Sequence, residues 1–486
     1  MTPPILDWMA LGPVLIVTVT GFACLLLDTA PSDGRKGVLA GVGVLGLGGA
    51  LVVSLFRWGG PAASFQRMLA LDDFALFFNL VVCAASGLVL LLSVDYMRRQ
   101  GAELGEYYVL VLFATLGMML MAGAADLLVV FLGLELMSVS LYVLAGFFRA
   151  RARANEAAMK YFLLGAFASG FFLYGIALLY GATGTTSLAR LGETLAAPGA
   201  GRDPMVLAGL ALLLVGFGFK ISAVPFHQWV PDVYEGAPTT VTALIATGSK
   251  AAAFAGLLRV LIAMRALQDD WTALLWTFAV LTMTVGNVVA LVQSNVKRLL
   301  AYSSVAHVGY MLVAVAAGLA PGTPAVLFYL AVYSVASVGA FGVILLLERG
   351  EPGPRGEAVE LDAYGGLGAR YPGLALLLTI FLLALVGMPP TAGFVGKLYI
   401  FRAAIERGFV GLAVIAVLNS VVAAYYYLRL IVYMYMHEPE GVPVRAVCPP
   451  AAGLALAVCA WLTLQLGLWP GPVLVLAQRA VAPLLR

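Results

Sequence analysis

Apolar runs of about 20 residues follow one another along almost the whole chain, separated by brief polar punctuation. An α-helix needs about that length to cross the hydrocarbon core of a bilayer. Runs long enough fall at 10–28, 37–57, 73–95, 106–123, 125–147, 158–181, 205–229, 238–264, 272–292, 298–319, 323–348, 371–402, 408–436 and 451–469, which makes about 14 spans. The pattern predicts an all-α polytopic membrane protein. Most connections are short. Those at 181–203 and 349–370 are rich in Gly, Pro and charge and read as surface loops, while 470–486 is too short to span and is expected at the interface.

Composition agrees and removes several function classes. The chain is 62% hydrophobic and 11% charged, against about 25% charged in soluble domains. A net charge of +3 gives no basis for nucleic-acid binding. The N-terminus carries Asp7 and no basic region, so the first run reads as a retained span rather than a signal peptide. Lys and Arg in alternate loops favour weakly an arrangement with both termini outside. Cys24, Cys83, Cys448 and Cys459 are scattered without a CxxC, which argues against a cluster, a zinc site or a disulfide framework. With His227, His307 and His437 as the only histidines, paired-His haem ligation is not expected either. The chain is therefore assigned no cofactor and no metal. Gly41, Gly43 and Gly46 match GxGxxG, but they lie inside an apolar run and read as close helix packing.

The informative stretch is Gly216–Lys250, which buries Lys220 in one span, interrupts it at Pro225 and sets Lys250 in the middle of the next. A charge near the bilayer centre costs about 2.5–3.5 kcal/mol on insertion scales, so it marks a functional site by default. The simplest cargo for two such lysines is a proton. Glu135 lies near the middle of 125–147, either neutral and hydrogen-bonded to a neighbouring helix or paired with a cation, for which Lys220 is the obvious choice. Burial opposes the charge on Lys220 and a nearby carboxylate restores it. At 4 Å and an effective dielectric near 20 that pair is worth about 4 kcal/mol, enough to act as a switch. Pro225 lacks an N–H and would clash with the carbonyl of Ile221, leaving acceptors and room for water beside Lys220.

Lys397 follows a second break at Pro389 and Pro390, flanked by Gly393 and Gly396; it lies closer to a helix end, so snorkelling to the interface competes with a buried role. Lys160 and Arg429, nearer span ends, are expected to snorkel. Ser303, His307 and Tyr310 recur at helical spacing, as do Tyr329, Tyr333 and Ser337. Such stripes either hydrate a path or hold helices together, and His307 can also relay a proton. GFxxK occurs at Gly216–Lys220 and again at Gly393–Lys397, five spans apart. An odd separation turns two copies of a unit opposite ways across the membrane, as in inverted-repeat transporters with broken helices. Pro225 follows its lysine, whereas Pro389 and Pro390 precede theirs.

Two longer motifs are more specific. Pro225–Pro238, PFHQWVPDVYEGAP, with TALIATGSKAAAFA after it, and Gln293–Tyr310, QSNVKRLLAYSSVAHVGY, resemble the antiporter-like N subunits of respiratory complex I, the bacterial proton-pumping NADH:quinone oxidoreductase. The Val-Tyr pair in PDVYEGAP separates these from the sibling M and L subunits and from related cation/proton antiporter subunits. The resemblance implies helices 1–3 in 1–105, a five-helix repeat of helices 4–8 in 106–264, an inverted repeat of helices 9–13 in 272–436, and helix 14 with a tail in 451–486. Helices 7 and 12 are broken. It implies proton-translocating roles for Glu135, Lys220, Lys250 and Lys397, matches Lys160 to a family lysine at the start of span six, and sets Lys297, Arg298 and His307 around the start of span ten, with a relay role for His307 alone. NADH, FMN, iron–sulfur clusters and quinone are then held by partner subunits. The expected partners are subunit M, the small membrane subunits and the lipid of the inner membrane. The competing expectation is a subunit of a cation/proton antiporter with the same fold.

Overall fold

The computed structural model describes residues 11–29, 36–60, 62–65, 67–197, 199, 201, 203–349, 357–438 and 444–485. Asp7 and the rest of the first ten residues lie outside them. Three helices come first, α1 (Gly12–Asp28), α2 (Gly37–Arg57) and α3 (Asp73–Arg99). Next are α4 (Gly105–Gly123), α5 (Leu127–Ala145), α6 (Ala152–Thr183) and the short α7 (Leu188–Leu195). Span seven is α8 (Pro204–Ile221) and, after an interruption, α9 (Val230–Gly236). Span eight is α10 (Thr239–Leu244), a π turn at Ile245–Ser249, and α11 (Lys250–Ala263). Then come α12 (Gln268–Leu291), α13 (Val296–Ala316), α14 (Leu319–Ile344) and the one-turn α15 (Leu367–Arg370). Span twelve is α16 (Pro372–Val386) and α17 (Ala392–Glu406), and α18 (Val410–Met436), α19 (Pro450–Leu468) and α20 (Gly471–Val481) complete the chain. Twelve helical stretches among the described residues are long and apolar enough to cross a membrane, and shorter apolar helices accompany them. The protein is an all-α polytopic membrane protein, with its seventh and twelfth spans broken as the prolines predict.

Local chemistry sets several boundaries. Asp72, Asp126, Asp203 and Asn295 each precede a helix and accept a hydrogen bond from a first-turn N–H, at 2.8, 2.9, 2.8 and 3.2 Å. These caps satisfy donors that have no partner inside the helix. Gly387, at φ +87°, ends α16 in the left-handed conformation that glycine tolerates.

Backbone contact between helices recurs five spans apart. A Cβ on Gly117 of α4 would lie 2.4 Å from Met137 N of α5, and one on Gly133 of α5 would lie 2.8 Å from Met121 N of α4. Spans nine and ten repeat this, since a Cβ on Gly309 of α13 would lie 2.4 Å from Met283 N and one on Gly286 of α12 would lie 2.7 Å from Ala306 N. The same close contact thus occurs twice, between spans four and five and again between spans nine and ten. Two of the three GxGxxG glycines also pack, since Cβ atoms on Gly43 and Gly46 would meet Leu90 of α3 and Thr20 of α1 at 2.9 and 2.2 Å, whereas one on Gly41 would meet nothing within 4 Å.

Three expectations need correction. Helix α6 begins at Ala152 rather than 158, because the polar turn 152–157 extends it beyond the apolar run. The 181–203 connection contains α7, whose Leu188, Leu191 and Leu195 are buried. The described part of the 349–370 connection, 357–370, is not a free surface loop. Val296 N donates to Val359 O at 2.7 Å and Leu361 N to Ser294 O at 2.9 Å, so an antiparallel bridge between Glu360 and Asn295 ties it to the residues that open α13.

Candidate functional site

Lys220 ends up in the last turn of α8, 2% exposed. The helix ends one residue later at Ile221 and is capped by Ser222, whose φ is +72°. Two of the carbonyls at this end have partners beyond the helix. Ala223 N donates to Gly218 O at 2.7 Å, and Phe219 O accepts from Ser222 N at 3.1 Å and from the indole of Trp229 at 3.1 Å. The break thus begins three residues before Pro225. A helix C-terminus carries about half a negative charge, so it favours an ammonium at this position.

The expected direct pair between Glu135 and Lys220 is not formed. Lys220 Nζ donates to Tyr142 Oη at 3.3 Å, and its charge lies 5.1 Å from the centre of the Tyr142 ring and 5.3 Å from that of Tyr161. Ser169 of α6 donates to Glu135 Oε1 instead. Glu135 and Tyr142 are seven residues apart on α5, roughly one face of the helix. Tyr142 therefore stands as the hydrogen-bonding neighbour of Lys220 on the helix that carries the carboxylate. Ring-to-cation contacts of this kind contribute about 0.5–2 kcal/mol and partly offset desolvation.

Lys250 is the first residue after the π turn, 1% exposed, in a span wholly buried among other helices. π turns are frequent at functional sites, and the extra residue in the turn re-aims the side chains after it. Lys250 Nζ donates to Ser304 O at 3.1 Å and to Ser304 Oγ, and so reaches α13 in the second half of the chain. Tyr333 Oη donates to the same Ser304 hydroxyl at 2.7 Å, and Tyr234 Oη lies 3.2 Å from it.

One turn further along α13, His307 is 3% exposed. Its Nδ1 lies 2.7 Å from Tyr329 Oη and its Nε2 3.1 Å from Tyr427 Oη, and Tyr427 also bonds Ser303. The rings of His307 and Tyr333 lie 4.9 Å apart. The two polar stripes therefore face each other across the α13–α14 contact, and α18 adds Tyr427.

Lys397 is 4% exposed, which removes the snorkelling alternative. Its Nζ donates to Val386 O, the last carbonyl of α16, at 2.7 Å and to Ser420 Oγ at 3.2 Å, and lies 4.5 Å from the centre of the Tyr310 ring. The breaks in spans seven and twelve thus each set an ammonium at the C-terminus of a first half-helix. They do so from opposite sides of the break, as the order of proline and lysine in the sequence requires.

Lys160 is not drawn into this axis. Its side chain is 43% exposed and bonds Asp232 at 2.6 Å and Glu156 at 2.7 Å. Asp232 also accepts from Arg298 at 2.8 Å, so the second half of span seven is held by cations from both halves of the chain. Arg429 donates to Leu291 O at 2.9 Å and to Gln293 O, joining α18 to the end of α12 rather than reaching for the interface.

Sequence reasoning passed over Tyr142, Ser304, Tyr427 and Glu357. Ser304, three residues before His307, is the one that helical spacing could have supplied.

Residues 124–423 match the family described as NADH:quinone oxidoreductase/Mrp antiporter, TM. The chain belongs to this family. The NADH-quinone oxidoreductase subunit N of Trichlorobacter lovleyi is 50% identical over 473 residues, covering 96% of each chain. Subunit N 2 of Roseiflexus castenholzii is 47% identical, covering 99% of this chain and 97% of its own. Among solved structures, a chain of respiratory complex I from Thermus thermophilus with bound aureothin is 39% identical, covers 95% of this chain and 98% of its own, and superposes with a TM-score of 0.80. Within the family, these relatives favour the oxidoreductase branch over the antiporter branch. The protein is an antiporter-like membrane subunit of an NADH:quinone oxidoreductase, a translocase, in the bacterial inner membrane, with other complex I subunits as its partners.

Proposed function

We propose that this chain carries protons along the axis Lys220, Lys250, His307, Lys397, with Glu135 biasing the charge on Lys220. The carrying observation is the burial of three lysines at 1–4% exposure, two of them at helix breaks, with hydrogen-bonding hydroxyls and an imidazole between the second and third. Lys250, Ser304 and Tyr333 form one hydrogen-bonded group; His307, Tyr329, Tyr427 and Ser303 form the next. Lys220 and Tyr142 form a separate one. The separation makes transfer from Lys220 to Lys250 the gated step. Approach of Glu135 holds the proton on Lys220, and its withdrawal releases it, with Coulomb energies of about 4 kcal/mol at contact to drive the exchange. Lys160, half-exposed and engaged with Asp232, acts by seating α9.

Redox chemistry belongs to other subunits in this reading, which hold NADH, FMN, iron–sulfur clusters and quinone, and subunit M and the small membrane subunits are its membrane neighbours. Electron transfer reaches this chain as a conformational or electrostatic change. Lys220→Ala and Glu135→Ala are expected to assemble and to lower both proton pumping and the coupled quinone reductase rate. Wild-type pumping in the Lys220→Ala complex removes the assignment.

A further inference from the structure

Glu357 sits on the connection between spans eleven and twelve, yet its side chain is 9% exposed and its carboxylate bonds to distant parts of the fold. Its Oε2 accepts from Thr239 Oγ1 at 2.7 Å and from Lys297 Nζ at 3.2 Å, and its Oε1 accepts from Tyr96 Oη. Tyr96 Oη in turn accepts from Thr239 N at 3.2 Å, and Lys297 Nζ also donates to Ala237 O at 2.9 Å. One carboxylate therefore joins the end of α3, the start of α10 and the first turn of α13. The strand-like pairing of Val359 and Leu361 with the start of α13 fixes where that carboxylate stands.

The two helices it pins are the two that meet at the lysine axis. Thr239 and Lys250 lie on one continuous span, three turns apart, and Lys297 and Ser304 lie on α13, two turns apart. Both helices run away from Glu357 in the same sense, and Lys250 Nζ reaches Ser304 across the gap between them. Lys297 is 1% exposed, so an ammonium there requires a counter-ion, and Glu357 is the carboxylate that meets it. The next residue, Arg298, holds Asp232 and Glu235 of α9 at 2.8 and 3.0 Å, so the same turn of α13 also seats the second half of span seven.

We propose that Glu357 is a positioning residue for proton transfer between the two halves of the chain: paired with Lys297, it sets the register of span eight against α13 and thereby the approach of Lys250 to Ser304. It touches no group of the axis. Neutralising it removes the counter-charge of buried Lys297, leaving that ammonium only the Ala237 carbonyl, and loosens the start of α10 against α13. This inference rests on the relay proposed above, because register at Lys250 matters only where Lys250 passes a proton.

The test is Glu357→Gln in the assembled complex, reconstituted in vesicles, with the proton-to-electron ratio measured beside Lys220→Ala. NADH oxidation by a water-soluble acceptor, which bypasses the membrane subunits, serves as the control for assembly. The expected result is a lowered ratio in Glu357→Gln at unchanged acceptor rate, with Glu357→Asp restoring most of it. A wild-type ratio in Glu357→Gln with a lowered one in Lys220→Ala overturns the positioning role alone, and wild-type ratios in both overturn the relay itself. Should Glu357→Gln not assemble, Thr239→Val, which removes one hydroxyl donor, is read in its place with the same outcomes.

Discussion

Lys397 donates to Val386 O at 2.7 Å, so the ammonium of one half of span twelve closes the end of the other half. The interaction joins the charge of the lysine to the negative end of α16 and fills a backbone acceptor that the break exposes. Lys397→Met keeps the length and burial of the side chain but leaves Val386 O unpaired. A cost of about 1–3 kcal/mol is expected for a buried group left without a partner. The complex should assemble, melt earlier in a thermal scan and pump fewer protons per electron.

Tyr142 makes a comparable prediction at the other break. Its hydroxyl is the hydrogen-bond acceptor of Lys220 at 3.3 Å, and a bond to a charged group is worth about 1.5–3 kcal/mol. Tyr142→Phe should lower coupled quinone reductase turnover by about tenfold, the equivalent of 1.4 kcal/mol, without loss of assembly. Gly165→Ala should act on the same bond from behind, because a Cβ there would stand 2.0 Å from Tyr142 Oη. Turnover of each variant against its assembled amount is the measurement.

Much of this architecture was legible in the chain. The span count, the two breaks and the burial of Lys220 and Lys250 followed from apolar length and proline position, since in lipid a helix must run unbroken or be supported where it stops, whereas Lys397, nearer a helix end, was left open between snorkelling and burial. The expected repeat was faint in sequence, because GFxxK falls before one break and after the other; the paired glycines at 117 and 133 and at 286 and 309 are a second recurrence at the same five-span spacing. What stayed hidden depended on packing between distant segments. Tyr142 reads as an ordinary helix tyrosine until α8 ends beside it. Glu357 lies in a stretch whose Gly, Pro and charge content signals exposure, and only its pairing with the start of α13 turns it inward. The π turn before Lys250 carries no local signal beyond small residues, which suit either helix geometry.

The glycine contacts predict a stability effect separable from transport. Gly117→Ala and Gly309→Ala each insert a Cβ 2.4 Å from a neighbouring backbone nitrogen. Overpacking costs about 1–3 kcal/mol and more where backbone must move. Both variants should accumulate poorly on native gels, whereas Gly41→Ala, with nothing within 4 Å of its Cβ, should behave as wild type.

Acid should loosen the Glu357 anchor. Burial raises the affinity of this carboxyl for a proton, but the Lys297 ammonium and the hydroxyls of Tyr96 and Thr239 outweigh it and hold the group below its ordinary value of 4.5. A carboxyl depressed in the folded state contributes its full stabilisation above its unfolded value and loses it as pH falls through the folded one. The difference in melting temperature between wild type and Glu357→Gln should therefore be constant above 4.5 and shrink below it. Melting curves across that range, recorded on both complexes, check the sign.

The central claim is that buried lysines of this chain carry translocated protons, and Lys250, which joins the two halves through Ser304, tests it most directly. Lys250→Met preserves volume and removes the charge. In reconstituted complex the account predicts a proton-to-electron ratio below that of wild type at normal assembly. A ratio equal to wild type would contradict it.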